Sequence, residues 1–157
     1  MNIYQENLKN ILKECKKHSF RINYAHTKMT VFMPLTIDKY EKLTNEEVEL
    51  IDHFLFRFSK LQDVIGQRLF PTTLLFLGEE IKTKSFIDRL NRLEQLNLIN
   101  SGDDWQELRV IRNKLTHEYD DNPNTSVVAL NLIYNQKDNL IGFYLKIDKQ
   151  IENILYT

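Results

Sequence analysis

Residues 3 to 17 place Ile3, Tyr4, Leu8, Ile11, Leu12 and Cys15 at three- and four-residue intervals. Lys9, Lys13, Lys16 and Lys17 fall between them, so the period is that of an amphipathic first helix with solvated lysines. Then the period changes. Phe20, Ile22 and Tyr24 alternate with polar neighbours, and Met29, Val31 and Met33 do so again after His26-Thr27. Alternation predicts a short extended arm or hairpin near residues 20 to 35, ended by Pro34, although a helix continuing to about residue 30 fits the same residues.

Thr44-Asn45-Glu46-Glu47 carries Thr with Glu three residues on, the pattern that satisfies two orphan N–H groups at a helix start. The helix it opens has a buried stripe of Val48, Ile51, Phe54 or Leu55, Phe58, Leu61 and Ile65, with Leu69 beyond Gly66. Arg57 and Asp63 flank the stripe as boundary residues placed to pair with other helices. Phe70-Pro71 is expected to stop this helix and to start a short apolar segment, Leu74 to Leu77, closed by Gly78.

The spacing predicts another helix over about Ser85 to Leu96, with Phe86, Leu90, Leu93 and Leu96 inward and Arg89, Arg92 and Glu94 toward water. Ser101-Gly102-Asp103 punctuates the chain. The next helix has acidic Asp103, Asp104 and Glu107 at its positive dipole end and carries Trp105, Leu108, Ile111 or Arg112, and Leu115. Past Asn122-Pro123, the apolar positions from Val127 to Leu155 form one long helix or two, since Asn135 to Asn139 is polar yet holds no Pro or Gly. The fold these elements imply is all-α: one domain over residues 1 to 157, an N-terminal helix and arm to residue 43, then the core of an antiparallel four- to five-helix bundle.

Composition narrows the class. A chain of 157 residues is large enough to bury a core without disulfides, and its single cysteine, Cys15, has no internal partner. No apolar run approaches the roughly 20 residues of a membrane helix, and the start from Met1 lacks a signal-peptide pattern. A cytoplasmic protein with no membrane partner is the expectation. The net charge of -1 is unevenly spread: residues 1 to 43 hold eight Lys or Arg against four Asp or Glu, and residues 44 to 80 hold three against seven. A basic lobe suits phosphates, but solvated helix faces or a contact between subunits explain it equally well.

Gly-rich phosphate loops, paired cysteines, His-Glu-x-x-His and Gly-x-Ser-x-Gly are absent from the sequence, and the carboxylate clusters sit at helix ends. No metal site or cofactor is expected. His18, His26 and His53 read as surface or boundary residues. His117 differs, because it follows Arg112 and Asn113 and precedes Tyr119 just before Asp120-Asp121-Asn122-Pro123. Positions 112 and 117 stand about 140° apart on an unbroken helix, unless its last turn tightens or unwinds. From periodicity alone, the plainer reading is a cation and a histidine satisfying the carbonyl end of a helix.

Arg112-Asn113-Lys114-Leu115-Thr116-His117-Glu118-Tyr119 resembles the Arg-x4-His-x-Tyr signature of HEPN-domain proteins, specifically the HepT-like toxins of toxin-antitoxin pairs. The stretches Arg57 to Asp63, Asp88 to Glu94 and Trp105 to Arg109 also resemble segments of small HEPN-like chains, and the likeness covers about residues 44 to 157. It implies a homodimer whose two motifs line a shared cleft and act as a metal-independent RNA endonuclease. Arg112 and His117 would then be catalytic, with Asn113 orienting them or the RNA. In that family the motif tyrosine receives AMP from a cognate minimal nucleotidyltransferase antitoxin, which makes Tyr119 the expected acceptor. The alternative keeps the fold without the chemistry: a helical, non-catalytic partner that presents substrate or nucleotide to a nucleotidyltransferase.

Overall fold

The computed structural model describes residues 2 to 118 and 122 to 156, with side chains for 2 to 115 and 122 to 156. Among these residues there is no strand, and the helices are α1 (Gln5–Met29), α2 (Ile37–Glu41), α3 (Asn45–Val64), a π turn (Ile65–Leu69), α4 (Phe70–Phe76), α5 (Phe86–Gln95), α6 (Gly102–Glu118), α7 (Pro123–Tyr134) and α8 (Lys137–Tyr156). Taking α3, the π turn and α4 as one rod, six of them have ten residues or more. One buried apolar cluster draws on every helix except α2. No described helix is long and apolar enough to cross a membrane.

The expected arm or hairpin is instead the second half of α1. Cys15, His18, Ser19, Ile22, Ala25 and Met29 form its continuous buried stripe at helical spacing. Two polar residues and one alanine dilute that stripe, while Phe20 and Tyr24 stand exposed beside it, which made the sequence look alternating. Only residues 30 to 36 leave the helix. There Phe32, Met33 and Leu35 are buried, the Met33–Pro34 peptide is cis, and the Asn131 side chain of α7 clamps Leu35. Leu35 N–H donates to Asn131 Oδ1 at 2.7 Å, and Asn131 Nδ2 donates to the Leu35 carbonyl at 2.9 Å.

Thr44 caps α3 as its sequence predicts: Glu47 N–H donates to Thr44 Oγ1, and Thr44 N–H donates back to Glu47 Oε1. Phe54, Phe58, Leu61, Ile65 and Leu69 are fully buried, whereas Val48, expected in the stripe, is exposed one turn into the helix. Pro71 does not stop the rod. Just ahead of it the backbone widens into the π turn, where Phe70 N–H donates to the Ile65 carbonyl five residues back. A proline ring collides with the carbonyl four residues earlier, and the wider turn relieves that contact so that α4 continues to Phe76. Gly78, at φ +83°, ends the rod in the left-handed region.

α1 and α3 run antiparallel. Glu14 meets Arg68, His18 meets Arg57, and His26 lies near Phe54, so rising numbers on one helix meet falling numbers on the other. Arg57 can only donate, and its Nη1 lies 3.1 Å from His18 Nδ1, so a neutral imidazole accepts there and presents Nε2–H to Glu14 at 3.4 Å. Farther along, the His26 ring stacks on Tyr134 of α7 with centroids 4.0 Å apart. At the other end Trp105 of α6 packs edge-on against Phe70 and Phe143, at 4.8 and 5.1 Å, which joins α6 to the rod and to α8. The terminal apolar run is two helices, parted at Asn135 and Gln136.

Candidate functional site

The Arg112 motif begins on the third turn of α6, whose Trp105, Leu108, Ile111 and Leu115 are buried against the core. That inward stripe turns Arg112 toward the rod. Asp63 of α3 receives it: Arg112 Nη1 and Nη2 donate to the two carboxylate oxygens at 2.5 and 3.3 Å. Asp63 is thus one of the boundary residues expected to pair across helices, and Arg57, bonded to His18, is the other. A two-point pair fixes both the position and the plane of a guanidinium, which a lysine at 112 would not allow.

Around this pair lies a groove of about 690 Å³, walled by α3 with the π turn, by α5 and by α6. Arg112 and Asn113 both line it, so two of the four expected site residues share one concave surface. Arg89 and Arg109 line it as well, giving three guanidiniums against the single carboxylate of Asp63. Arg109 lies over the Phe86 ring at 5.0 Å. Arg89, expected toward water, is half-buried and donates from Nη2 to the Ile81 carbonyl at 2.8 Å. The signal for these two was available: 105, 109 and 112 share one face of α6, and 86 and 89 share one face of α5.

The groove floor is polar where it is buried. Among the described residues, Gln62 is 3% exposed and neither of its amide atoms has a hydrogen-bond partner; the Trp105 indole N–H and Arg89 Nε are also buried without one. Buried polar groups are nearly always paired, so three unpaired ones at one groove mark a place where packing was not the only constraint. Gly66 and Gln67 of the π turn complete this wall. A Cβ on Gly66 would sit 3.0 Å from Trp105 Cζ2, so only glycine allows α6 to approach the rod this closely.

Backbone geometry bears on His117. α6 keeps its helical form through Glu118, so the last turn does not unwind before the histidine, and positions 112 and 117 stay about 140° apart around the axis. The His117 side chain and the whole of Tyr119, the expected AMP acceptor, lie outside the described residues.

The other ionisable groups are structural in their surroundings. Burial pushes the Cys15 thiol up to about 12. It also lowers His18, with Arg57 and Lys60 adding to the effect against Glu14, and lowers His26 and His53, with nearby cations contributing. Compared with protein-family models, with curated proteins and with solved structures, the chain matches none.

Proposed function

We propose that this chain is a HepT-like ribonuclease toxin, a metal-independent RNA endonuclease held in check by a nucleotidyltransferase that adds AMP to Tyr119. The observation that carries the reading is the Arg112–Asn113 pair in a groove of three guanidiniums, at the start of an Arg-x4-His-x-Tyr motif in an all-helical bundle.

RNA carries its own nucleophile. The 2′-oxygen attacks the adjacent phosphorus, the bond from phosphorus to the 5′-oxygen breaks, and a 2′,3′-cyclic phosphate remains on one fragment. The protein must take the 2′-hydroxyl proton, return a proton to the departing 5′-oxygen and stabilise charge on the phosphoryl oxygens. Arg112 supplies a permanently charged, preoriented fork for those oxygens. His117 supplies the imidazole, the side-chain type suited to proton transfer near neutrality. One motif holds one imidazole, and positions 112 and 117 diverge around α6, so a homodimer with both motifs in a shared cleft provides the second proton carrier. AMP on Tyr119 would add negative charge and bulk to the motif and so oppose RNA by repulsion and by competing for its cations.

Expression of the wild type without antitoxin should arrest growth and fragment cellular RNA, whereas Arg112→Ala and His117→Ala should do neither. Intact RNA in the wild type, or variants as active as it, would overturn the ribonuclease reading. Incubation with the cognate nucleotidyltransferase and ATP should label the wild type and not Tyr119→Phe; equal labelling would move the acceptor elsewhere.

A further inference from the structure

The outer face of the α1–α3 pair presents rings and cations in alternation. Phe20 is 64% exposed, Phe56 53% and Tyr24 49%, although every one of these helices has a buried stripe that could have held an aromatic residue. Each exposed ring carries a cation over its face: Arg21 over Phe20 at 5.6 Å, Lys28 over Tyr24 at 5.2 Å, and both Arg57 and Lys60 over Phe56 at 5.7 and 5.5 Å. Lys17, Phe20, Arg21, Tyr24 and Lys28 recur at helical spacing along one side of α1. Lys16, Lys17, Phe20, Arg21 and Arg57 together line a shallow groove of about 490 Å³ between the two helices.

This face leads to the Arg112 groove. On α3, Phe56, Lys60, Asp63 and Gln67 follow one another at intervals of four, three and four, a single stripe that begins at the exposed ring and ends beside Arg112 and in the π turn. From Phe56 to Asp63 the rise is about 10 Å, a span of one or two nucleotides of extended single strand. The carboxylates nearby are few. Glu14 is engaged by Arg68 and His18, Asp63 holds Arg112, Asp52 stands one turn before Phe56 at the start of the stripe, and Glu49 lies a further turn toward the N-terminus of α3.

We propose that the α1–α3 face is a docking track for single-stranded RNA, which stacks bases on Phe20 and Phe56, sets its phosphates against Lys17, Arg21 and Lys60, and delivers the strand to Arg112. Exposed rings interleaved with cations are what an unpaired strand requires, since every base has a face to stack and every linkage has a charge. A second copy of the chain fits this face poorly, because a two-fold contact lays each surface on its own image and sets cations against cations. The track rests on the ribonuclease reading only for naming RNA as the polyanion.

The test is fluorescence anisotropy with a labelled single-stranded RNA of about twelve nucleotides, within the span of known single-strand sites. The proteins compared are the wild type, Lys17→Glu/Arg21→Glu, Phe20→Ala/Phe56→Ala and His117→Ala. All four altered surface residues are exposed, so circular dichroism should show the same fold in each variant. Charge reversal should weaken binding by about tenfold or more and flatten the dependence of log K on log salt by about 1.4, two phosphate contacts' worth for a single strand. The ring variant should weaken binding by about fivefold or more and leave the salt dependence unchanged.

Wild-type affinity in both surface variants would overturn the track. So would a finding that they change instead the sedimentation of the protein or its retention on phosphatidylglycerol vesicles, which would assign the face to a second copy or to a lipid surface. If His117→Ala cleaves RNA as fast as the wild type while the surface variants still lose binding, the catalytic reading fails and the track stands.

Discussion

Asp63 holds Arg112 from across the α3–α6 contact with both of its carboxylate oxygens, and the two side chains are 41% and 29% exposed. At that exposure an ion pair contributes about 1 kcal/mol or less to folding, because water competes for both charges. Its consequence is geometric. Asp63→Asn should therefore lower the melting temperature by no more than about 2–4 °C, yet, on the ribonuclease reading proposed above, reduce RNA cleavage by about tenfold or more as the guanidinium loses its fixed plane. Arg112→Lys should behave in the same way. Full cleavage by either variant would show that orientation of the guanidinium is irrelevant.

Two glycines give opposite expectations for the same substitution. Gly66→Ala would drive a methyl group to 3.0 Å from a Trp105 ring that Phe70 and Phe143 already hold in place. Overpacking of about 1–3 kcal/mol exceeds the gain of up to about 1 kcal/mol in helix propensity, so the net effect is destabilising. Gly142 is exposed within α8 with nothing within 4 Å of a Cβ, so Gly142→Ala should stabilise by about 0.5–1 kcal/mol. Urea denaturation of the two variants should move the midpoint in opposite directions.

Gln62 is buried with its amide unpartnered beside the Arg112 groove. Replacing it with methionine removes the desolvation penalty at nearly constant volume and should raise stability by about 1–3 kcal/mol. The same change should lower cleavage if the amide serves the bound strand. A variant both less stable and fully active would reverse this account of the groove floor.

Protonation of three histidines opposes folding. His18, His26 and His53 all have pKa values below the usual 6.5, chiefly through burial, so below that pH the unfolded chain binds more protons than the folded one. Stability should be level from about pH 7 to pH 8, below the ordinary thiol range, and fall as pH drops from about 6.5 toward the folded-state values. His18 has an added reason, since an imidazolium can no longer accept from Arg57. Denaturant midpoints at several pH values should show this slope, and His26→Phe, which keeps a ring against Tyr134, should make it shallower.

Cys15 has no exposed surface and its thiol is pushed up to about 12. An aromatic disulfide reagent should leave it untouched at neutral pH and label it only in denaturant. Labelling in the native state faster than global unfolding would reveal local opening of α1.

What could be read in advance follows from the kind of signal each element carries. Thr44 with Glu47, Ser85 before α5, and the apolar spacing of α6 are local, and each appears where its residues predict it. α1 was ambiguous because its buried stripe contains His18, Ser19 and Ala25 while its exposed side contains Phe20 and Tyr24, so hydrophobicity alone inverted part of the helix. Asp63 was recognisable as a pairing residue, but its partner was not, since residues 49 positions apart meet only through tertiary packing. For the groove's other arginines the local half of the signal is in the sequence, since Arg109 shares a helix face with Arg112 and Arg89 shares one with Phe86, but that these two faces meet in one groove follows only once α5 and α6 are set side by side.

The π turn at Ile65–Leu69 amounts to a helix carrying one surplus residue. Everything beyond it is rotated by about 100° relative to an uninterrupted rod, so the stripe that faces α1 and the wall that receives Trp105 are set by different phases of one helix. Loss of any single residue between 65 and 69 would return the rod to one phase. It would turn Phe70 away from Trp105 and press the ring of Pro71 against a carbonyl, so chain length at this point, together with the missing side chain of Gly66, sets how α6 and its Arg112 approach the rod.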